Sequence, residues 1–280
     1  EIATLGDAVD FGDAIITARG HMGTSSSTRG VMGGGHISPN ASNSIGFITI
    51  ASQGNEIDFG DLAAGTSGIL STGNSKRAIW AGGYTPTLLN VIQYVQIPNG
   101  GTAVDFGDLT QARQGGSGSS QAHGGLCDGY QGTRPLPAGS GRALFGGGIQ
   151  PASTNVIDFI TMSTLGNAQD FGNLRFNRYY HSAFASSTRF FSMAGVDGTG
   201  ATSHTDDIEI VNFASKGNSS FFSDGTVTNR QMTGFSNSTR GVSGGGSSPY
   251  IDVIEYVVLA SVGTDGLDLG NLSANRSYMG

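Results

Sequence analysis

The chain has 280 residues and a formal net charge of −7, and only 12% of its residues are charged. This composition lacks the dense basic stripe that nucleic-acid binding needs, and no apolar run approaches the roughly 20 residues of a membrane span. The single cysteine, Cys127, excludes an internal disulfide framework, and no motif for a cofactor or a metal ion is present.

The predicted elements are short apolar runs with Gly, Asn, Ser and Pro between them, a pattern typical of all-β proteins. One string, AVDFGD in its first copy, recurs along the chain about every 50 residues, a period that indicates propeller blades. The copies begin at Ala8, Glu56, Ala103, Ala168, Ser220 and Gly266. Because a catalytic motif usually occurs once, a string repeated through the whole chain indicates scaffold.

A second landmark keeps the same period. An arginine opens a short apolar strand that ends in glycines, as in RGVMGGG and RALFGGG. These arginines are Arg29, Arg77, Arg142, Arg189 and Arg240. Another set precedes the small, polar first strands and comprises Arg19, Arg113, Arg178, Arg230 and Arg276.

Each unit therefore offers four strands: a small polar one, the arginine strand, a long apolar strand and the DFGD strand. This predicts an all-β chain folded as a β-propeller of six four-stranded blades. The five complete blades are expected at about 19–64, 65–112, 113–177, 178–229 and 230–275. Residues 1–18 would supply a third and a fourth strand of the closing blade and residues 276–280 a first strand, and we expect the chain to be part of a longer polypeptide.

This layout resembles the kelch repeat, in which a diglycine closes the second strand, an aromatic residue lies in the third and a bulky residue in the fourth. The resemblance covers essentially the whole chain, although the fourth-strand residue here is Phe where that family has Trp. The Gly/Ser-rich DFGDL repeats are also similar to those in tail and appendage proteins of marine bacteriophages. The resemblance implies a kelch-like propeller from a virion.

Repetition separates scaffold from site, since a residue present in every blade serves the blade. The five second-strand arginines are therefore predicted to be structural, and so are Asp13, Asp61 and Asp108 of the repeated string. We expect each aspartate to cap a turn or to pair with an arginine. Acid–base catalysis and Ca²⁺ binding are the alternatives for these carboxylates, and His21, His123 and His181 could converge on the channel as a metal site.

The irregular segments are the candidate binding surfaces, because loops carry function in propellers. The variable loops after the diglycines contain Tyr84, His204 and Tyr250. An insertion at Gly125–Gly141 contains Tyr130 and Arg134, residue types that interfaces favour. We expect the insertion to contact another subunit or virion protein, and the variable loops to face a host ligand on the opposite side.

The sequence thus predicts a non-enzymatic structural or receptor-recognition module of a bacteriophage tail or fibre, located in the virion. Its expected partners are other tail proteins, further copies of itself and a host surface glycan or protein. Two alternatives stay open. One is a glycan-active hydrolase or lyase, although the chain has no Asp-box and no carboxylate pair outside the repeat. The other is an intracellular kelch adaptor that binds proteins.

Overall fold

The computed structural model describes residues 2–122, 130–131, 134–135, 141–198 and 203–278. These residues form 26 β-strands and no helix, so the described part of the chain has no helix able to cross a membrane. Five antiparallel sheets of four strands follow one another along the chain. The predicted all-β propeller is confirmed, with five four-stranded blades.

The strand bounds, blade by blade, are as follows. Blade 1 has β1 (Met22–Ser25), β2 (Arg29–Gly33), the short pair β3 (His36–Ile37) and β4 (Asn40–Ala41), β5 (Ser44–Thr49) and β6 (Ile57–Asp61). Blade 2 has β7 (Leu70–Gly73), β8 (Arg77–Ala81), the pair β9 (Tyr84–Thr85) and β10 (Thr87–Leu88), β11 (Val91–Gln96) and β12 (Val104–Asp108). Blade 3 has β13 (Ser117–Ser120), the pair β14 (Tyr130–Gln131) and β15 (Arg134–Pro135), β16 (Arg142–Gly146), β17 (Val156–Thr161) and β18 (Gln169–Asn173). Blade 4 has β19 (Ser182–Ala185), β20 (Arg189–Met193), β21 (Asp207–Asn212) and β22 (Ser220–Asp224). Blade 5 has β23 (Thr233–Ser236), β24 (Arg240–Gly244), β25 (Val253–Val258) and β26 (Leu267–Asn271).

The first strands line the centre of the ring. Consecutive first strands contact each other, β1 with β7, β7 with β13, β13 with β19 and β19 with β23. Their sequences are rich in small residues, as in LSTG of β7 and SGSS of β13. Small side chains are needed there because the strands crowd around a common axis.

The repeated DFGD string forms a β-bulge in every fourth strand. In blade 2, Ile92 pairs with Gly107 and Gln93 with Asp105, so Phe106 is the extra residue and turns into the core. The Phe or Leu at this position is 2–8% exposed in all five blades. The bulge thus delivers one large apolar side chain per blade to the interface with the next blade.

The glycine after the bulge touches the following blade directly. Gly107 has a φ of +147°, and the backbone of Gly166 in blade 3 lies where a Cβ atom would be. Backbone hydrogen bonds of 2.8 and 2.7 Å flank this contact, from Gly166 N to Phe106 O and from Ala168 N to Asp108 O. The same close approach recurs at Gly12, Gly60, Gly172 and Gly270. The string is repeated because each blade docks on the next through it.

The aspartates of the string act mainly through their backbone. Asp13, Asp61 and Asp108 each accept a hydrogen bond at the carbonyl oxygen from an N–H of the next blade. Their side chains are absent from the ion pairs among the described residues, which involve other carboxylates. The expected pairing with arginine is therefore not seen there, because these side chains lie at the outer edge of the blade. Turn capping is seen instead at the first aspartate of the string, where Asp10 Oδ1 accepts a hydrogen bond from Gly12 N at 3.1 Å.

The second-strand arginines connect neighbouring blades. Arg77 donates from Nη1 to Met162 O of the next blade at 2.6 Å, and its guanidinium lies 4.7 Å from the ring centroid of Tyr94 in its own blade. The other four arginines donate in the same way, Arg29 to Ile97 O, Arg142 to Phe213 O, Arg189 to Leu259 O and Arg240 to Ile2 O. Each guanidinium thus combines a cation–π contact within a blade with a charge-assisted hydrogen bond between blades.

Both ends of the chain meet at a sixth ring position, between blade 5 and blade 1. Residues 6–8 donate two backbone hydrogen bonds to β26, at 2.9 and 2.8 Å, and residues 11–13 accept two from the segment before β6, at 3.0 and 2.8 Å. These are the contacts that fourth strands make, so residues 6–13 take a fourth-strand position. At the other end, Gly246 N donates to Arg276 O at 2.7 Å. The expected third strand from the N-terminal residues is not formed, because residues 2–4 make a turn.

Replacing Arg77 by alanine is expected to lower the free energy of unfolding by about 1–3 kcal/mol, since a charged donor between two blades is lost. Urea denaturation followed by circular dichroism measures the change. The exposed neighbour Lys76 provides the control variant, Lys76→Ala, which should leave stability unchanged. Equal stability of the two variants would mean that the guanidinium does not hold the blades together.

Replacing Gly107 by alanine is expected to cost about 1–3 kcal/mol of stability, because the new methyl group meets the backbone of Gly166 at a φ that alanine rarely adopts. Gly54→Ala is the matched control, since a methyl group there would find no atom within 4 Å and the φ of Gly54 is ordinary. Thermal melting of both variants tests this. A Gly107→Ala melting temperature equal to that of the control would contradict the proposed docking role.

Candidate functional site

Six residues with left-handed backbone conformation encircle one opening of the central channel. Each stands just before a first strand or its equivalent, with φ between 53° and 66°. They are Gly20, Gly68, Gly115, Tyr180, Gln231 and Tyr278. Five backbone hydrogen bonds of 2.7–3.2 Å connect neighbours around this circle, for example from Gln231 N to Tyr180 O. We call this opening the channel mouth.

The channel mouth is asymmetric. Blades 1 to 3 place glycine at the left-handed position, whereas blades 4 and 5 and the C-terminal segment place Tyr180, Gln231 and Tyr278 there. A left-handed conformation costs a residue with a Cβ roughly 1–2 kcal/mol, and such strain is concentrated at functional sites. Half of the rim therefore has no side chains at this position. The other half carries large side chains on residues whose left-handed backbone conformation is unfavourable for any residue except glycine.

A cavity of about 230 Å³ occupies the channel mouth. Arg19, His36 and Gln114 contribute polar side chains to its lining, and Tyr180 and Tyr278 contribute aromatic rings. Met22, Ile69 and Met232 supply apolar lining. The described residues that line the cavity include no aspartate and no glutamate. The cavity thus offers aromatic surface, amides and a cation, a combination that suits a polar ligand with hydrogen-bond acceptors.

Tyr180 forms the main wall of the cavity. Its ring packs edge-on against Tyr179 and Tyr278, with centroid distances of 5.1 and 5.7 Å. It also covers Gly115, where a Cβ atom would lie 2.8 Å from the ring. Burial and the neighbouring Tyr278 raise the pKa of Tyr180 to about 12. The hydroxyl therefore remains protonated at neutral pH.

His181 lies next to Tyr180 and is buried. Its Nδ1 lies 2.8 Å from Ser192 Oγ and its Nε2 lies 3.0 Å from Gly146 O, so the Nε2–H tautomer satisfies both partners. Burial, together with nearby arginines, lowers the pKa of His181 to about 4. The imidazole is neutral and structural. His21 lines a different, smaller cavity beside Glu56, and His123 lies outside the described residues, so the structure gives no histidine cluster in its described part.

The arginines that precede the first strands do not share one position. Arg113 and Arg178 stand two residues before the left-handed residue and are fully buried, as expected of scaffold. Arg19 and Arg230 stand only one residue before it, so these two precede their first strands as predicted but are shifted by one residue relative to Arg113 and Arg178. Because of this shift, Arg19 lines the cavity, unlike the buried Arg113 and Arg178.

The loops after the diglycines border the channel mouth. Isolated antiparallel bridges join them to the residues before the left-handed positions, as between Ser67 and Tyr84. Tyr84 and Tyr250 are 43% and 62% exposed, and His204 is half-buried and bridged to Val196. None of these three lines the cavity, whereas His36 from the corresponding loop of blade 1 does. They form an outer rim around the mouth.

The connection between β13 and β16 starts and ends away from the channel mouth. β13 starts beside the mouth and runs away from it, so Gln121, which follows β13, and Arg142, where β16 begins, lie on the opposite side of blade 3. Tyr130 in β14 and Arg134 in β15 belong to a short antiparallel pair. The rest of the predicted insertion, up to residue 140, lies outside the described residues. Its expected role in assembly stays a prediction.

The sequence does carry a signal for Tyr180, Gln231 and Tyr278, although none of them was predicted as a site residue. All three follow the landmark that precedes the first strand, at the place where other repeats have Gly20, Gly68 or Gly115. A large residue in place of a repeated glycine is the signal. It is hard to see because the two shifted arginines obscure the alignment of the repeats.

Buried charges lie behind the channel mouth in blades 3 and 4. Arg113 Nη2 lies 3.2 Å from Asp158 Oδ2, and Arg178 Nη2 lies 2.9 Å from Glu209 Oε1, with all four side chains inaccessible. Blade 5 has Glu255 in the third-strand position but Asn229 in place of the arginine. The ion pairs among the described residues therefore leave Glu255 without a guanidinium partner, and burial raises the pKa of this carboxyl group.

One group of carboxylates lies outside the mouth. Asp206, Asp207 and Asp224 have oxygens within 4.8 Å of one another, the single such group in the described part of the chain. Asp207 is already paired with Arg175 at 3.1 Å. Partial desolvation and the neighbouring carboxylates raise the pKa of Asp224. The geometry gives no reason to assign a metal to this group.

In comparisons with known proteins, no family model and no curated protein matches the chain. The fold and the mouth cavity define the class, a β-propeller whose architecture suits a recognition or interaction module.

The unpaired Glu255 yields a prediction about pH. Its raised pKa means that the folded state holds the proton more tightly than the unfolded state, so its contribution to stability is present at low pH and is lost as pH rises above the unfolded pKa, near 4.5. Glu255→Gln should therefore become increasingly stabilising, relative to the parent protein, as the pH rises above 4.5. Urea denaturation at several pH values measures the difference.

Glu209→Gln is the matched comparison, because Glu209 occupies the same position but faces Arg178. Removing its charge leaves a buried guanidinium poorly paired and should cost about 3–5 kcal/mol. If both variants respond alike to pH, the difference between the paired and the unpaired carboxylate has no energetic consequence.

Proposed function

We propose that this chain is a non-enzymatic recognition module of a bacteriophage tail or fibre, and that it binds a host surface glycan at the channel mouth. One observation carries the proposal. The mouth cavity combines the rings of Tyr180 and Tyr278 with the polar groups of Gln114 and Arg19. Sugar rings stack their C–H faces on aromatic rings and exchange hydrogen bonds with amides and guanidinium groups.

The strained backbone supports the assignment. Tyr180 and Tyr278 are held at positive φ, and their rings lie 5.7 Å apart in an edge-on arrangement. Such a wall is preorganised, so little conformational entropy is lost when a ligand binds. The cavity of about 230 Å³ is large enough for one sugar residue and smaller than most drug-sized sites. A terminal sugar or a branch of a surface polysaccharide fits this size.

Placement in a virion rests on the sequence. The repeats resemble kelch blades and are similar to the DFGDL repeats of marine bacteriophage tail and appendage proteins. A chain with 12% charged residues and 47 glycines, whose blades are connected mainly by backbone contacts, suits an extracellular particle. Other tail proteins and further copies of this chain are the proposed partners.

The glycan-active enzyme is the main rival. A glycosidase usually needs two carboxylates on either side of the scissile bond. The described lining residues of the mouth cavity include no Asp or Glu, and the buried acids Asp158 and Glu209 are paired with arginines. An intracellular adaptor would instead bind a protein through the exposed outer rim, where Tyr84 and Tyr250 lie.

Tyr180→Ala tests the proposal. Screening on an array of bacterial surface glycans, followed by isothermal titration with the best oligosaccharide, should show binding by the parent protein. We expect the variant to lose at least about tenfold in affinity, or about 1.4 kcal/mol, because the stacking wall is removed. Tyr250→Ala removes an equally large ring from the outer rim and should bind as the parent does.

Three results would contradict the proposal. Loss of binding in Tyr250→Ala alone would move the site to the outer rim. Release of shorter saccharides during the titration would identify an enzyme. Failure of every surface glycan to bind, with a protein ligand found instead, would favour the adaptor.

A further inference from the structure

Five positions around the channel mouth are structurally equivalent. Each stands one residue before a left-handed position and forms an isolated antiparallel bridge with the loop that follows the second strand of its own blade. The residues at these positions, which we call the bridge residues, are Arg19, Ser67, Gln114, Tyr179 and Arg230. Two of the five are arginines and none is acidic, although the chain contains 21 Asp and Glu residues. The bridge residues therefore give the mouth a positive charge in a chain that is negative overall.

Arg19 is the arginine whose side chain reaches the cavity. It belongs to the described lining together with the rings of Tyr180 and Tyr278. Two backbone hydrogen bonds with His36, one in each direction, measure 3.2 and 2.7 Å and hold the main chain of Arg19 beside the mouth. Its side chain is exposed. A fixed piece of backbone thus presents an accessible guanidinium next to the aromatic wall.

The charge of Arg19 is not neutralised within the described part of the chain. The ion pairs found there include neither Arg19 nor Arg230. By contrast, Arg113 and Arg178, which stand one residue earlier in their repeats, are each paired with a buried carboxylate. The scaffold arginines therefore have their own counter-charges, whereas the positive charge at the mouth is available to a ligand.

The two arginines of the bridge residues stand on either side of Tyr278. Backbone hydrogen bonds of 3.2 and 3.1 Å join Tyr278 to the residues that directly follow Arg230 and Arg19. Burial and Tyr278 raise the pKa of Tyr180 to about 12, and the positive charge of Arg230 acts in the opposite direction. The field of Arg230 consequently extends to the ring of Tyr180. The aromatic wall has positive charge at both of its edges.

We propose that the channel mouth selects an acidic saccharide, one whose sugar ring carries a carboxylate, and that Arg19 recognises this group. The inference rests on the proposed glycan binding at the mouth and names the class of glycan. A guanidinium offers two parallel N–H donors that match the two oxygens of a carboxylate. The described lining residues include no Asp or Glu that would repel such a ligand.

The shape of a uronic acid matches this arrangement. Its carboxylate projects from the edge of the sugar ring, so that a ring stacked on the aromatic wall directs the charged group sideways, towards a guanidinium at the edge of the wall. The net charge of −7 opposes the approach of an anion, but salt screens such repulsion beyond about 8–10 Å. Direct contact with Arg19 is therefore the interaction that decides between acidic and neutral sugars.

A matched pair of ligands separates the charge from the sugar. Tetragalacturonic acid carries free carboxylates, and its methyl ester has the same sugar rings without the charge. We expect the 280-residue protein to bind the acid at least about tenfold more tightly than the ester in isothermal titration, because a charge-assisted hydrogen bond is lost in the ester. Tetramannuronic acid and its methyl ester repeat the comparison with another ring configuration. Raising the salt concentration should weaken binding of the acids and leave binding of the esters unchanged.

Protein variants assign the preference to one side chain. Arg19→Gln should lose about tenfold or more in affinity for the acid and bind the ester as the parent does, and Arg19→Lys, which keeps the charge without the paired donors, should fall between the two. Lys76→Gln removes one positive charge from an exposed residue in the turn between β7 and β8, away from the mouth, and should bind both ligands as the parent does. Equal melting temperatures would verify that all variants are folded.

The outcomes distinguish this inference from the proposed function. Equal binding of acid and ester, or an Arg19→Gln variant that discriminates as well as the parent, would overturn the inference. A preference for neutral glycans that Tyr180→Ala abolishes would do the same and leave the glycan site at the mouth in place. Tighter binding of a sulfated saccharide than of either uronate would overturn the assignment to a carboxylate. If no saccharide binds, the proposed function fails together with this inference.

Discussion

Close backbone contact between successive blades is the constraint on which the whole ring depends. At the glycine of each DFGD string, a carbonyl of the next blade occupies the space of a side chain, and hydrogen bonds on either side fix the register. The second-strand arginine adds a contact at another level of the same interface. The most regular features of the sequence thus serve contacts between blades more than contacts within them. Within its own blade the string supplies the fourth strand, and its glycine finds its contact only when the next blade is present.

In each blade a hydrogen-bond acceptor is needed at the third position of the third strand, but the charge of the residue that supplies it varies. Gln93, Asp158, Glu209 and Glu255 differ in charge, yet each accepts a hydrogen bond from the backbone N–H that follows the previous fourth strand. In blade 1 the position is Gly46, and the Glu56 side chain fills the space above it and accepts the same bond. Each blade therefore needs a hydrogen-bond acceptor at this point, but the acceptor need not be charged. Among the described residues, a buried arginine neutralises the carboxylate only in blades 3 and 4.

This distinction explains how much could be predicted from the sequence. The period of the DFGD string and of the second-strand arginines is enough to predict the fold class and the five complete blades, because these residues serve every interface in the same way. The channel mouth depends on a shift of a single residue. Arg19 and Arg230 look equivalent to Arg113 and Arg178 but stand one residue closer to the first strand, and Tyr180 takes the place of a repeated glycine. The structural consequence of a one-residue shift cannot be predicted from the sequence and becomes clear only when the backbone positions are known.

The channel mouth and the neighbouring cavity in the central channel, which residues of all five first strands line, are physically connected. Met22 and Met232 line both cavities. Tyr278 belongs to the wall of the mouth, and its backbone donates to Gln231 O and accepts from Gly20 N, so it also closes the ring at the sixth position. The shape of the mouth is therefore set in part by the backbone contacts of Tyr278 that close the ring at the sixth position.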